Sequence, residues 1–147
     1  MAVRITTLEK GSRVVGAIIG DLLRHGFNVL LPMGHDRGYD LVVEIAGQFY
    51  RVQCKKATLN RNRDCIVISC RSTATGAYLG RADVIVAHCL ELGKTYVFTV
   101  DRNHINKTVL RLRPARNNQL KYIRLAGKYE LSQETWPLSS AVRASDS

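Results

Sequence analysis

The stretch from Gly38 to Lys56 constrains this chain more than any other. Two runs rich in Val, Ile, Tyr and Phe flank a turn at Gly47, the composition of paired β-strands. In the first run Leu41, Val43 and Ile45 alternate with Asp40, Val42 and Glu44. In the second, Tyr50, Val52 and Cys54 alternate with Arg51, Gln53 and Lys55. Successive side chains of a strand point to opposite faces, so one set enters a core and the other lines a wet or functional face. Two loops are open. With Ala46 and Gly47 in the turn, Ile45 pairs with Gln48 and Asp40 lies opposite Gln53. With Gly47 and Gln48 in the turn, Asp40 lies opposite Lys55. Either way Asp40, Gln53 and Lys55 share a face, because slipping both strands together preserves parity. Opposed Cβ atoms sit about 5 Å apart, and Gln53 and Lys55 are about 6.6 Å apart along their strand. An acid, an amide and an amine therefore converge within one metal ion's reach.

The 147 residues suit one domain, drawn over residues 1–131 with a tail at 132–147. Lys and Arg number 22 against 12 acidic residues, a formal charge of +10, which favours a polyanionic partner and most simply nucleic acid. No apolar run approaches the ~20 residues of a membrane span, and the start lacks the apolar core of a secretory signal. The expectation is a cytoplasmic protein without a membrane partner. Cysteines at 54, 65, 70 and 89 form no Cys-x-x-Cys pair and read as reduced strand residues rather than zinc ligands.

Along the chain, Thr6 and Glu9 form a capping-box pattern ahead of an amphipathic helix carrying Leu8, Val15, Ile18, Ile19, Leu22 and Leu23. Gly26 stops it. Phe27–Leu31 reads as a strand, Met33–Gly38 as a loop and Thr58–Asp64 as a polar basic loop. Cys65–Cys70 is a strand, Arg71–Arg81 an exposed loop, and Asp83–Leu90 with Lys94–Val100 a strand pair around Gly93. Leu110–Gln119 is a third basic stretch, and Tyr122–Ala126 is expected as a short helix. His88, on a core strand, reads as a satisfied core histidine.

Asp40, followed by Gln53-Cys54-Lys55, resembles the core of the PD-(D/E)XK nucleases, with Gln in place of the second acid. The surrounding pattern is similar to the group I intron homing endonucleases of that superfamily and their bacterial relatives. It comprises Lys10-Gly11 opening a helix, His25-Gly26-Phe27 before the first strand, Tyr39-Asp40, Gln53-x-Lys55 and a later Asn117-Asn118-Gln119. The resemblance spans Leu8 to Tyr129. It implies an α/β fold with a restriction-endonuclease-like core, in which an N-terminal helix packs on a mixed central β-sheet with a flanking helix and basic loops. It also implies Mg²⁺-dependent hydrolysis of double-stranded DNA. Asp40 and the Cys54 carbonyl would hold the metal, Gln53 would offer an amide oxygen, and Lys55 would serve the attacking water.

One position departs from the family. The helix glutamate expected four residues after Gly11 is Val15 here. Glu9 is the nearest acid, but it falls on another face of the helix and belongs first to the capping box.

Lys56, Arg61, Arg63, Arg71, Arg81, Arg111, Arg113 and Arg116 are the expected phosphate contacts. Asn60, Asn62, Asn117, Asn118 and Gln119 are candidate base readers. Cutting both strands with one site per chain calls for a homodimer or homotetramer. A Holliday-junction-type nuclease and a catalytically silent DNA-binding relative are the alternatives, the latter favoured by Val15.

Overall fold

All six residues of the strand Val84–Cys89 are buried, so it must be covered on both faces. The computed structural model, which describes residues 6–34, 38–72, 76–77, 81–100, 107–114 and 123–137, shows what covers it. The elements run α1 (Thr7–Arg24), β1 (Asn28–Leu30), β2 (Leu41–Ile45), β3 (Gln48–Leu59), β4 (Cys65–Ser69), β5 (Arg71–Ser72), β6 (Gly76–Ala77), β7 (Val84–Cys89), β8 (Lys94–Thr99) and β9 (Lys107–Arg111). The capping box forms as expected: the Glu9 N–H donates to Thr6 Oγ1 at 3.2 Å and the Thr6 N–H donates to the Glu9 carboxylate at 2.7 Å. Val14, Ile18 and Leu22 recur at helical spacing and are the buried stripe of α1.

The twelve-residue β3 is the spine. It pairs antiparallel with β2 over Gln48–Val52, parallel with β7 over Val52–Lys56, and antiparallel with β4 over Ala57–Leu59. The parallel pair makes the sheet mixed. Alternate residues of a strand direct their backbone groups to opposite edges. The Arg51 carbonyl accepts from Asp83 on the β7 side, while Val52 serves Asp40 and Asn60 serves Cys65. β2 and β4 thus share one edge of β3, separated by the span 53–56, with β7 on the other edge.

Each face of the sheet buries its own cluster. Leu41, Val43, Val52, Val84, Val86 and Val97 pack under α1 with Phe27, Tyr50 and Trp136. On the opposite face Ile85, Ala87, Cys89, Tyr96 and Phe98 meet Ala57, Ile66, Ile68, Leu110 and Ala126. Because β4 and β9 reach residues of β8, which lies beyond β7, this arm curls over the sheet. The C-terminal segment then closes the curl: Leu125 bridges to Arg111 and Glu130 bridges to Tyr96. Backbone pairings therefore run in a ring from β3 through β4, β9, residues 125–130, β8 and β7 back to β3.

Several expectations need correction. Lys107–Arg111 forms the strand β9, so the third basic stretch begins as sheet rather than loop. The exposed loop after Cys70 contains the small β5–β6 hairpin. Among the described residues the flanking helix expected at Tyr122–Ala126 is not seen from Ile123 on: Leu125 is extended at the bridge and a 3-10 turn follows at Ala126–Lys128. Closing the ring claims that backbone for sheet pairing. Trp136 lies past the boundary drawn at residue 131 yet is fully buried, so the core reaches into the segment taken as tail.

Candidate active site

The hairpin adopts the first of its two open registers. Ile45 pairs with Gln48, which leaves Ala46 and Gly47 as the turn and carries Asp40 to the level of Gln53. The β2 ladder stops at Leu41 opposite Val52. One residue further, the Asp40 N–H still donates to the Val52 carbonyl at 2.8 Å, but the side chain turns into the gap between β2 and β4. There Asp40 Oδ2 accepts the Cys54 N–H at 2.8 Å and the Gln53 Nε2–H at 2.8 Å. The same Gln53 nitrogen lies 3.4 Å from the Cys54 carbonyl oxygen. Since the N–H and C=O of one strand residue point to one edge, Cys54 presents its carbonyl to the gap for the same reason that it presents its N–H. An interruption in pairing thus leaves an acid, an amide and a backbone carbonyl facing one point.

Although the Asp40 side chain is exposed, partial desolvation by its surroundings raises its carboxyl from its ordinary value, opposed by the Cys54 N–H and by the charge of Lys55. That charge places half-buried Lys55 beside the acid, on the face that alternation assigns it. The Cys54 thiol points the other way, into the core under α1. Burial and the nearby Asp40 push it far up, so it stays protonated and Cys54 contributes only backbone.

The donor set suits a hard divalent cation, which takes carboxylate, amide and carbonyl oxygens. Gln53 would have to turn its oxygen inward, because Asp40 and the Cys54 carbonyl now face its nitrogen. Asp40 is the one carboxylate of this set; no group of three or more His, Cys, Asp or Glu able to hold a metal occurs among the described residues. Val15 packs half-buried against the core under α1 and supplies no acid. Glu9 is committed to its capping box, whose hydrogen bonds hold its carboxyl below the usual range.

The expected DNA contacts divide. Arg61 and Arg63 stand exposed on the turn joining β3 to β4. Asn60 is not available to read bases: its Oδ1 accepts the Asp64 and Cys65 N–H groups, and its Nδ2 donates to Asp64 at 2.6 Å. Asn62, Asp64, Arg111, Arg113 and Pro114 line an open groove of about 520 Å³. Arg111 is partly committed there, 3.9 Å from Asp64 and donating to the Arg113 carbonyl, whereas Arg113 is exposed. Lys56 is exposed but falls on the face opposite Asp40. Arg81 is exposed at the entry to β7. The side chain of Arg71, and Arg116, Asn117, Asn118 and Gln119, lie outside the described residues.

An ion pair between Arg51 and Asp83 was missed from sequence. Arg51 Nη2 lies 3.0 Å from Asp83 Oδ1, and both Arg51 Nε and the Arg51 N–H donate to Oδ2. Arg51 has the parity of Gln53 and Lys55, the one signal that could have flagged it. His88 is a satisfied core histidine, its Nδ1 2.7 Å from Thr95 Oγ1.

The family model of the PD-(D/E)XK endonucleases matches residues 5–132. The chain belongs to the PD-(D/E)XK endonuclease family. Its activity is that of a DNA endonuclease. Among solved structures it is similar to a bacterial homing endonuclease, I-Ssp6803I. The two share 26% identity and a TM-score of 0.73, with 98% of this chain and 100% of that chain covered. None of the curated proteins matches.

Proposed function

We propose that this endonuclease is a Mg²⁺-dependent, site-specific enzyme of the homing type. The observation that carries the reading is the convergence of Asp40, the Gln53 amide and the Cys54 backbone in the gap along β3, with Lys55 on the same face. The likeness to a homing endonuclease along nearly the whole chain supports the biological role. Asp40 Oδ2, Gln53 Oε1 and the Cys54 carbonyl would hold the cation. When bound, it would neutralise developing phosphate charge and lower the pKa of an attacking water. Lys55 Nζ orients that water, assists its deprotonation and offsets charge on the phosphoryl oxygens. With a single carboxylate the site would hold a cation weakly on its own, and a DNA phosphate would add the negative charge that it lacks.

The exposed basic residues Arg61, Arg63, Arg81 and Arg113 would track phosphates. Self-association to a homodimer or homotetramer would bring a second site to the second strand. The edge strand β1 pairs only with β2 among the described residues, and Leu30, Leu31 and Met33 beside it are exposed. Such an edge suits a second copy.

Purified protein with Mg²⁺ on plasmid, four-way-junction and intronless-site DNA tests the reading. Site-specific double-strand cuts support it, and Asp40→Ala and Lys55→Ala should each abolish them. Junction resolution would instead favour the structure-selective alternative. Val15 favours a second reading, a relative that binds DNA without cutting. Binding without cleavage of any substrate would select that one.

A further inference from the structure

Arg51 lies within β3 and Arg81 just ahead of β7, and of the two only Arg51 is in an ion pair among the described residues. Arg51 is locked to Asp83 by its guanidinium at 3.0 and 3.2 Å and by its own N–H at 2.8 Å. The Asp83 N–H returns a bond to the Arg51 carbonyl at 2.9 Å, and the Asp83 carbonyl accepts from Val100 at 3.1 Å. Asp83 is thereby stapled to β3 and β8, which fixes the chain two residues earlier at Arg81.

Arg81 is held from its other side as well. A Cβ on Gly38 would lie 2.8 Å from Arg81 Cβ and 3.0 Å from Arg81 Cδ, closer than real Cβ atoms approach their neighbours. The aliphatic stem of Arg81 therefore lies directly on the Gly38 backbone. Gly38 also has φ +81°, a conformation other residues avoid, so glycine is required there twice over. Arg81 itself is exposed and makes no hydrogen bond or ion pair among the described residues. Asp40 is two residues on from Gly38, at most about 7 Å along the chain.

A cation whose stem is pinned on a glycine two residues from Asp40, and whose head has no partner among the described residues, is placed to bind an anion at low entropic cost. Guanidinium matches phosphate with two parallel N–H donors. We propose that Arg81 is a phosphate-binding residue of the active site, gripping the DNA phosphate at or adjoining the point of cleavage, with Gly38 as its cradle. The proposal rests on the endonuclease reading above, and distinguishes Arg81 from the outlying cations Arg61, Arg63 and Arg113.

The test measures binding of a short random-sequence DNA duplex against KCl concentration, with circular dichroism to confirm folding. Arg81→Ala should weaken binding and reduce the slope of log K against log[salt] by about 0.9, one phosphate contact. Arg81→Lys should keep the slope but bind less tightly, since the two-pronged contact is lost. Gly38→Ala should reproduce the slope loss, and adding Arg81→Ala to it should remove nothing further. An unchanged slope in Arg81→Ala, or slope losses that add in the double variant, would overturn the proposal.

The second readout is nicking of plasmid with Mg²⁺ at saturating protein, where Arg81→Ala should be slower by at least about tenfold. A wild-type rate there would refute the placement at the cleavage point. If the wild-type protein binds but cuts nothing, the endonuclease reading fails while the salt slopes still judge the phosphate contact.

Discussion

Asp40 is the residue on which the site turns, and its energetics oppose its function. Partial desolvation raises its carboxyl, and the Cys54 N–H and Lys55 recover only part of that. The folded chain therefore binds more protons than the unfolded chain between the unfolded and folded pKa values. In that window the contribution of Asp40 to stability falls as pH rises, and at neutral pH its charge is a net burden. Asp40→Asn removes the burden and can be accommodated, because the Asn oxygen still accepts the Cys54 N–H and Gln53 can turn its amide. Cleavage should drop by at least about 10²-fold while the melting temperature at pH 7 stays level or rises. A fall of several degrees would refute this account of the carboxylate. Gln53→Glu acts in the opposite sense. A second carboxylate should tighten Mg²⁺ binding without DNA by roughly tenfold in calorimetric titration and raise the Asp40 carboxyl further through like-charge repulsion. These residues were legible in the sequence because a hairpin fixes parity. Asp83 was not, since its partner Arg51 is 32 positions away and the two meet only when β7 returns parallel to β3.

At the scale of elements, the hairpin turn carries a residue that its geometry does not favour. Ala46 and Gly47 both have positive φ, +50° and +78°, as a two-residue turn of the type I′ kind requires. Glycine adopts that conformation freely, while alanine is strained there by about 1 kcal/mol. Ala46→Asn should therefore stabilise the protein by up to about 1 kcal/mol, read as a higher urea midpoint with an unchanged m-value. A lower midpoint would mean that the turn is held by something other than its own backbone. Alternation made β2 and β3 readable, and continuous apolar runs about Gly93 did the same for β7 and β8. It failed for β9, whose pattern of exposed Lys107 and Val109 against buried Thr108 and Leu110 is short and embedded in basic residues. It failed again at Leu125, where the local sequence favours a helix but pairing with Arg111 closes the ring. Non-local pairing decided both, and no window of residues contains it.

On the scale of the molecule, α1 and the arm of β4 and β9 cover opposite faces of one sheet, and the site occupies the gap between β2 and that arm. The register of that gap depends on how firmly β1 and the hairpin are held on the α1 side. Trp136 does much of the holding: it is fully buried, its ring 5.1 Å from Phe27 and 5.9 Å from Tyr50. Phe27 leads into β1, and Tyr50 lies on β3 opposite Val43 of β2. Replacing Trp136 by Ala should cost about 3–5 kcal/mol, a large part of the roughly 5–15 kcal/mol available to a domain. Ending the chain after Leu131 should be at least as damaging. Both variants are checked by urea unfolding. The further consequence is functional. Trp136 lies on the face of the sheet away from Asp40, yet Trp136→Ala should slow cleavage at temperatures where most molecules remain folded, because the Asp40–Gln53–Cys54 contacts need a fixed hairpin. If the variant melts like the wild type, the core ends at residue 131 after all. If it melts early but cuts at the wild-type rate while folded, the gap holds its geometry through β3 and β7 alone.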